Sequence, residues 1–401
     1  MAQELLPSQI PILISGEESF KRSLSQKSGF QCDTTVPQKL DFLFCFKSAI
    51  KPNFQAHLSS PLFRHNKQVA QGIDVDLRLQ HKDKNMSKKK TFFMTTCCCF
   101  LALFLVVAAS GCGLFIKTIP KGEIMGKAPE DKYIMIDDVN YHYLEYPGTG
   151  RDIFLLHGLA SSAYTWEKVI PYLTGQGYHV WALDMKGFGW SDKPEDAKYD
   201  TVTLMQEVNK WMEAMGLKDV VFVGNSLGGA IAVLMALEHP DKTERIVLID
   251  SAGYPIKKPF IIRMAKMPLA GEITKLFFGR WVVERTLEEV MFNDDKVTEE
   301  QIDAYYERMS TENALDAQVA LARSIDFEAM SVYTRRIPEI KNRTVIIWGE
   351  NDEWIPLESG YKFRKDLSNS TLVILPECGH IPQEEKPELT AKSIIDFIEK
   401  R

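Results

Sequence analysis

Three residues that could share one reaction occur in the order serine, aspartate, histidine. Ser226 sits in Gly224-Asn225-Ser226-Leu227-Gly228, directly after the apolar run Val220-Val221-Phe222-Val223. An Ala/Leu-rich stretch, Gly229 to Glu238, follows and is stopped by Pro240. A short run that is apolar throughout reads as a strand buried on both faces. Strand, G-x-S-x-G and helix together make a nucleophile elbow. Such a turn strains the serine backbone and crowds the positions two residues away, a need that Gly224 and Gly228 meet. It also lifts the Ser226 hydroxyl above the sheet edge at a helix N-terminus, where free N–H groups favour developing negative charge. The pentapeptide alone is a weak signal, with roughly 0.1 chance matches per chain at average residue frequencies. Its flanks and its partners carry the argument.

A serine hydroxyl needs a base to take its proton, and the base needs an anion to orient it. Gly349-Glu350-Asn351-Asp352 follows the apolar run Thr344 to Gly349, and Cys378-Gly379-His380 follows the next run, Thr371 to Leu375. Both groups then sit on loops at strand ends, which makes Asp352 the expected acid and His380 the expected base. Leu156-His157-Gly158-Leu159 follows another buried run. There the Leu159 N–H can pair with the Leu227 N–H as an oxyanion hole. His157 itself reads as a turn-stabilising residue rather than a base. Asp184, opening the tight loop that runs to Ser191, reads as a loop organiser.

The elements that must hold these groups alternate. Tyr133 to Ile136 and Tyr141 to Tyr146 flank Asp137-Asp138-Val139-Asn140 as a hairpin. Strands are expected at Asp152 to Leu156, Tyr178 to Leu183, Val220 to Val223, Arg245 to Ile249, Thr344 to Gly349 and Thr371 to Leu375. Helices are expected at Thr165 to Leu173, Thr201 to Met215, Gly229 to Glu238, Pro356 to about Leu367 and Lys386 to Lys400. This alternation argues an α/β fold, a mostly parallel sheet with helices on both faces. It breaks from Gly253 to Arg343, a mostly helical insert rich in Met and aromatic residues, placed to cover the sheet edge where Ser226 sits.

The segments H-G-L-A, D-M-K-G-F-G-W-S, G-N-S-L-G-G, G-E-N-D and G-H-I-P, in that order, resemble the α/β-hydrolase superfamily. The likeness runs from about Tyr133 to the end. It is closest to the cap-bearing branch that holds esterases, carbon–carbon-bond hydrolases, epoxide hydrolases and haloalkane dehalogenases. The last two use an aspartate nucleophile, from which Ser226 departs. The resemblance implies Ser226 as nucleophile, His380 as base and Asp352 as acid, with no cofactor and no metal; some members take the acid after the preceding strand, which makes Asp250, at the end of Arg245 to Ile249, the alternative acid. It implies cleavage of a small to medium carboxylic ester through an acyl-enzyme. Two alternatives stand beside it: hydrolysis of a carbon–carbon bond in a dienoate ketoacid, and a catalytically idle ligand-binding protein on the same fold. The partner expected is a small-molecule substrate, and the oligomeric state is not legible.

The chain before the body has a different character. The 401 residues carry a formal charge of −6, which offers no basic field for nucleic acid. Residues 1–85 lack periodicity and read as a disordered or non-native leader, with Met86 a candidate true start. Residues 86–116 form a signal, transmembrane or lipoprotein-type segment. Lys88, Lys89 and Lys90 precede a charge-free apolar run from Thr91 to Ile116, long enough to span a hydrocarbon core of about 30 Å. Ala109-Ser110-Gly111-Cys112 resembles a lipoprotein cleavage box, with Cys112 the residue lipidated. Either route places the body outside the cytoplasm, with the lysines inside. A linker (117–131), the first core part (132–252), the cap (253–343) and the second core part (344–401) complete the organisation. Cys378 is the one cysteine in the body, so no disulfide framework is expected there.

Overall fold

The computed structural model describes residues 130–256, 265–267, 271, 275, 278–325 and 327–400. The leader, the apolar segment with Cys112 and the linker up to residue 129 lie outside the described residues. Among the described residues, no helix is long and apolar enough to cross a membrane.

The apolar runs become eight strands of one sheet. They are β1 (Asp131–Ile136), β2 (Val139–Tyr146), β3 (Asp152–Leu156), β4 (His179–Leu183), β5 (Val220–Asn225), β6 (Thr243–Ile249), β7 (Arg343–Gly349) and β8 (Ser370–Leu375). Their spatial order is β1-β2-β4-β3-β5-β6-β7-β8. β2 pairs antiparallel with both its neighbours, and every other pairing is parallel. The helices are α1 (Ile170–Thr174), α2 (Thr201–Met215), α3 (Leu227–Glu238), α4 (Arg280–Val290), α5 (Glu299–Met309), α6 (Ala314–Ser324), α7 (Phe327–Arg336), α8 (Glu358–Asp366), α9 (Pro382–Glu385) and α10 (Pro387–Glu399).

Side chains along the central strands alternate between two cores, as the two-residue strand period requires. Phe154, Leu156 and Phe222 join α2, α3 and α8 on one face. Ile153, Leu155, Val221 and Val223 join α1 and α10 on the other. With both faces covered, the strands carry the continuous apolar runs typical of a buried parallel sheet. α4 to α7 lie between β6 and β7 and make the helical cap insertion. Asp200 caps α2 by accepting the Thr203 N–H, and Gly216 ends it in the left-handed conformation.

Two boundaries differ from expectation. The hairpin turn is only Asp137-Asp138, both at positive φ, the geometry of a two-residue turn whose twist matches its strands. Val139 and Asn140 therefore belong to β2. The single helix expected from Thr165 to Leu173 is a 3₁₀ turn, Ala163–Trp166, followed by α1. Pro171 lacks the N–H that a continuous helix would need there. The closing helix expected from Lys386 to Lys400 is α10, and the short α9 precedes it, with Lys386 out of helical geometry between them.

Asp184 organises its loop as expected. Its carboxylate accepts the Ala163 N–H at 2.6 Å and the Trp190 N–H at 2.7 Å. His142 of β2 lies between it and Asp131, with Nδ1 2.7 Å from Asp184 and Nε2 3.0 Å from Asp131. Burial works against charge on this imidazole, but the two carboxylates prevail and raise its pKa to about 9. A pKa raised from 6.5 to about 9 corresponds to stabilisation on the order of 3 kcal/mol. That contribution is complete below the unfolded value of about 6.5 and is lost as pH rises through the folded value. Melting temperature should therefore fall between pH 6.5 and 9.5. His142→Asn should lower it at pH 6 and flatten this decline, as thermal unfolding at several pH values will show. An unchanged decline in the variant would contradict the assignment.

Candidate active site

Parallel pairing brings the ends of neighbouring strands to one level. Asn225 of β5 pairs with Ile249 of β6, Ile249 with Ile347 of β7, and Gly349 of β7 with Leu375 of β8. The residues that follow, Ser226, Asp250, Asp352 and His380, thus emerge along one carboxyl edge. β3 stands between β4 and β5, so the chain reverses direction across the sheet there. Leu159 after β3 and Ser226 after β5 flank that switch point, the expected place for a ligand in an open α/β sheet.

The elbow is strained and tightly packed. Ser226 has φ 52° and ψ −113°, in a region that non-glycine residues rarely enter. Its neighbours hold it there. The Ser226 N–H donates to the Ile249 carbonyl at 3.0 Å, and its own carbonyl accepts the Ala252 N–H at 3.0 Å. A Cβ on Gly224 would stand 2.3 Å from the Gly228 backbone, and one on Gly228 would stand 2.2 Å from the Leu156 carbonyl oxygen. Both glycines are therefore demanded by close approach. Leu227 is the first residue of α3, where helix N–H groups lack intrahelical partners.

His380 and Asp352 meet. His380 Nδ1 lies 2.7 Å from Asp352 Oδ2, and both side chains are buried. Asp352 Oδ1 accepts the Trp354 N–H at 2.8 Å and the Ile355 N–H at 3.0 Å. The carboxylate is fixed from both ends, and Nδ1–H is the tautomer it demands. Nε2 is then the nitrogen left for proton transfer. Trp354 stacks on the imidazole with ring centroids 5.7 Å apart. The Asn225 amide donates to the His380 carbonyl at 3.0 Å and to the Ile249 carbonyl at 3.2 Å. It ties the elbow strand to the histidine loop.

Asp250 stands beside this pair rather than in it. Polar atoms of Asp250, Asp352 and His380 all lie within 4.8 Å of one another. Asp250 Oδ1 accepts the Gly349 N–H at 3.0 Å. Burial and the neighbouring Asp352 carboxylate raise its pKa well above the usual carboxylate range. Two buried carboxyls this close do not both ionise, and Asp352 holds the richer set of donors, so the proton rests on Asp250.

His157 lies elsewhere in the edge. Its Nδ1 is 2.8 Å from the Gly158 carbonyl, and its Nε2 accepts the Met185 N–H at 3.1 Å. Burial lowers its pKa. Both nitrogens are thereby engaged, Nδ1 within its own loop and Nε2 in joining that loop to the one after β4.

A cavity of about 170 Å³ lies over the edge, with Ser226 and His380 both in its wall. The cap contributes apolar residues to it, including Phe278, Val283, Leu287 and Val290. A second cavity of about 80 Å³ shares Leu159, Ser226 and Trp354 with the first. Ser226 is thus in the wall of both.

Some contributors are not named by the sequence motifs. Asn225 carries a weak signal, being the one polar residue of an otherwise apolar buried strand. Trp354 and Glu385 carry none beyond residue type.

Comparison with known proteins agrees with this architecture. A family model described as alpha/beta hydrolase fold matches residues 153–387. The uncharacterized hydrolase YugF of Bacillus subtilis is 33% identical over 66% of this chain and 96% of its own length. A 2-hydroxy-6-oxo-6-phenylhexa-2,4-dienoate hydrolase of Burkholderia cepacia is 27% identical over 64% of this chain and 90% of its own. The crystal structure of a membrane phospholipase A is similar with TM-score 0.55 and 26% identity, covering 76% of this chain and 98% of that one.

The two acids make different demands on substitution. Asp352→Asn should lower kcat by about 10⁴, the loss expected when the base is left in the wrong tautomer. Asp250→Asn replaces a neutral carboxyl by a neutral amide and should cost less than about tenfold. Steady-state kinetics of the two variants will decide, and the larger loss at Asp250 would reverse the assignment.

Proposed function

The chain belongs to the alpha/beta hydrolase fold family and is a hydrolase; from there we propose that Ser226 is its nucleophile, His380 its base and Asp352 the acid that orients the base. The observation that carries this is the strained Ser226 elbow opening on the same cavity as His380, whose Nδ1 is held by Asp352. In this reading His380 takes the Ser226 proton and Ser226 attacks a substrate carbonyl carbon. The Leu159 and Leu227 N–H groups stabilise the oxyanion. His380 returns the proton to the departing fragment. Water, activated in turn by His380, releases the carboxylic acid.

Which bond breaks is a finer question. The relatives favour the carbon–carbon bond of a dienoate ketoacid over the carboxylic ester, because three of them bear dienoate or dienoic acid hydrolase names. In that case the departing fragment is a carbon chain that accepts a proton as its bond to the carbonyl carbon breaks. The ester reading keeps specific support of its own. The cap side of the cavity is apolar, suited to a hydrocarbon acyl chain, and the chain resembles a membrane phospholipase A.

The two readings separate in one assay. A coloured 6-phenyl dienoate ketoacid and a series of p-nitrophenyl esters of rising acyl length should be offered to the same preparation. The proposal expects loss of dienoate absorbance with kcat/KM at least about tenfold above that of the best ester. The reverse ratio would install the ester reading. Turnover of neither would overturn both substrate readings.

We also propose that Lys88 to Ile116 tethers the hydrolase to a membrane, with the body on the non-cytoplasmic side. The support is the charge-free apolar run behind three lysines. Fractionation should place the activity with membranes. Intact mass should then show either a chain beginning at a lipidated Cys112 or one that keeps the lysines. Wholly soluble cytoplasmic enzyme would overturn the tether.

A further inference from the structure

The loop that carries His380 touches the cap through its backbone. The His380 N–H donates to the Val290 carbonyl, at the last residue of α4, at 2.7 Å. Glu385 spans the same seam. Its Oε2 accepts the Gly379 N–H at 2.7 Å from the histidine loop and the Phe292 N–H at 3.1 Å from the cap. Its Oε1 accepts the Asn293 N–H, also from the cap, at 3.1 Å. Its backbone carbonyl accepts the Lys296 ammonium at 2.8 Å. The seam has no slack: a Cβ on Gly379 would stand 2.3 Å from the Val290 carbonyl oxygen and 2.9 Å from the Phe292 nitrogen.

Glu385 is only 3% exposed, so these N–H groups have no ready access to water in its place. Charge-assisted bonds to one carboxylate are stronger than neutral ones, and here one carboxylate serves two distant parts of the chain. Its neighbour Glu384 makes a different set of bonds. That side chain receives the Thr165 hydroxyl, the Gln301 amide and the Tyr305 hydroxyl, and so ties cap to core through side chains. The seam at Glu385 is the one that reaches the backbone next to His380. α4 meanwhile lends Val283, Leu287 and Val290 to the cavity wall. The wall that meets substrate and the loop that bears His380 are thus bonded to each other directly.

We propose that Glu385 is a positioning residue that clamps the cap to the His380 loop, so that His380 reaches its working place only when the cap is seated. The proposal rests on the reading of His380 as the base. It makes cap seating and base placement one event. A substrate that packs against α4 would favour the seated cap and with it the placed base. Displacing a reacting group by as little as about 1 Å can cost on the order of 10² in rate, so a relaxed seam acts mainly on kcat.

The test uses the full chain and the best substrate of the dienoate and ester panel. Glu385→Gln keeps the size of the side chain but removes its charge and turns an NH₂ toward N–H donors. Its kcat should fall about ten- to hundredfold while KM stays within about twofold. Glu385→Asp should restore part of the loss. Amide hydrogen exchange should quicken together at Gly379, His380, Phe292 and Asn293, with the amides of β5 unchanged. A folded Glu385→Gln enzyme with wild-type kcat would overturn the proposal. So would faster exchange confined to one side of the seam. If Glu385→Gln does not fold, Gly379→Ala probes the same seam by pushing Val290 away. It should show the same kcat loss and paired exchange, and a wild-type kcat there would equally overturn the proposal. His380→Ala separates the two claims. If it still turns over substrate, the base assignment fails and the positioning claim falls with it. If it is inactive while Glu385→Gln is normal, only the positioning claim falls.

Discussion

Parallel strand register is the constraint on which the site depends. In a parallel sheet each strand enters at one edge and leaves at the other, so groups placed just after successive strands share an edge. β5 ends level with β6, β7 ends level with β8 two residues further along, and Ser226, Asp250, Asp352 and His380 follow them. Each of these side chains is separated from the next by tens of residues of chain, yet register alone brings them into reach. The reversal of strand order at β3 opens the crevice that the cap then roofs. A slip of one residue in β7 would move Asp352 along the edge and turn the inward faces of that strand outward.

The strain and burial at the edge are sustained by the packing around it. Ser226 stays at positive φ because Gly224 and Gly228 let the backbone of β3 and α3 close on the turn. Asp352 stays buried because two backbone N–H groups and His380 surround it. Asp250, with fewer donors, keeps its proton beside it. These are local departures from ordinary backbone and charge behaviour, and they gather at one end of the sheet, as strained functional sites do.

Much of this was legible in the sequence because it is local. The apolar runs gave the strands, and glycines flanking a serine between a strand and a helix gave the elbow. That Asp352 and His380 come together followed from which strands they close. Other features are not local. Asp250 and Asp352 each follow a strand, and how many N–H donors surround each carboxylate is not written in either position. Glu385 meets Gly379 across a short turn but meets Phe292 and Asn293 from a distant insert, a contact that no spacing rule encodes. The helical pattern from Thr165 to Leu173 hid the break at Pro171, because apolar spacing says nothing about a missing N–H. The choice of bond to be cleaved depends on the shape of a cavity lined by several helices, which one chain's pattern does not reveal.

Attack of Ser226 on the substrate carbonyl is the proposed first step. A fluorophosphonate probe reacts with an activated serine and leaves a stable adduct, so peptide mass spectrometry after labelling tests the claim at the atom concerned. The account predicts a single adduct on the peptide bearing Ser226, absent from Ser226→Ala and strongly reduced in His380→Ala. A folded, active enzyme that carries no adduct, or one whose label sits on another residue, would contradict it.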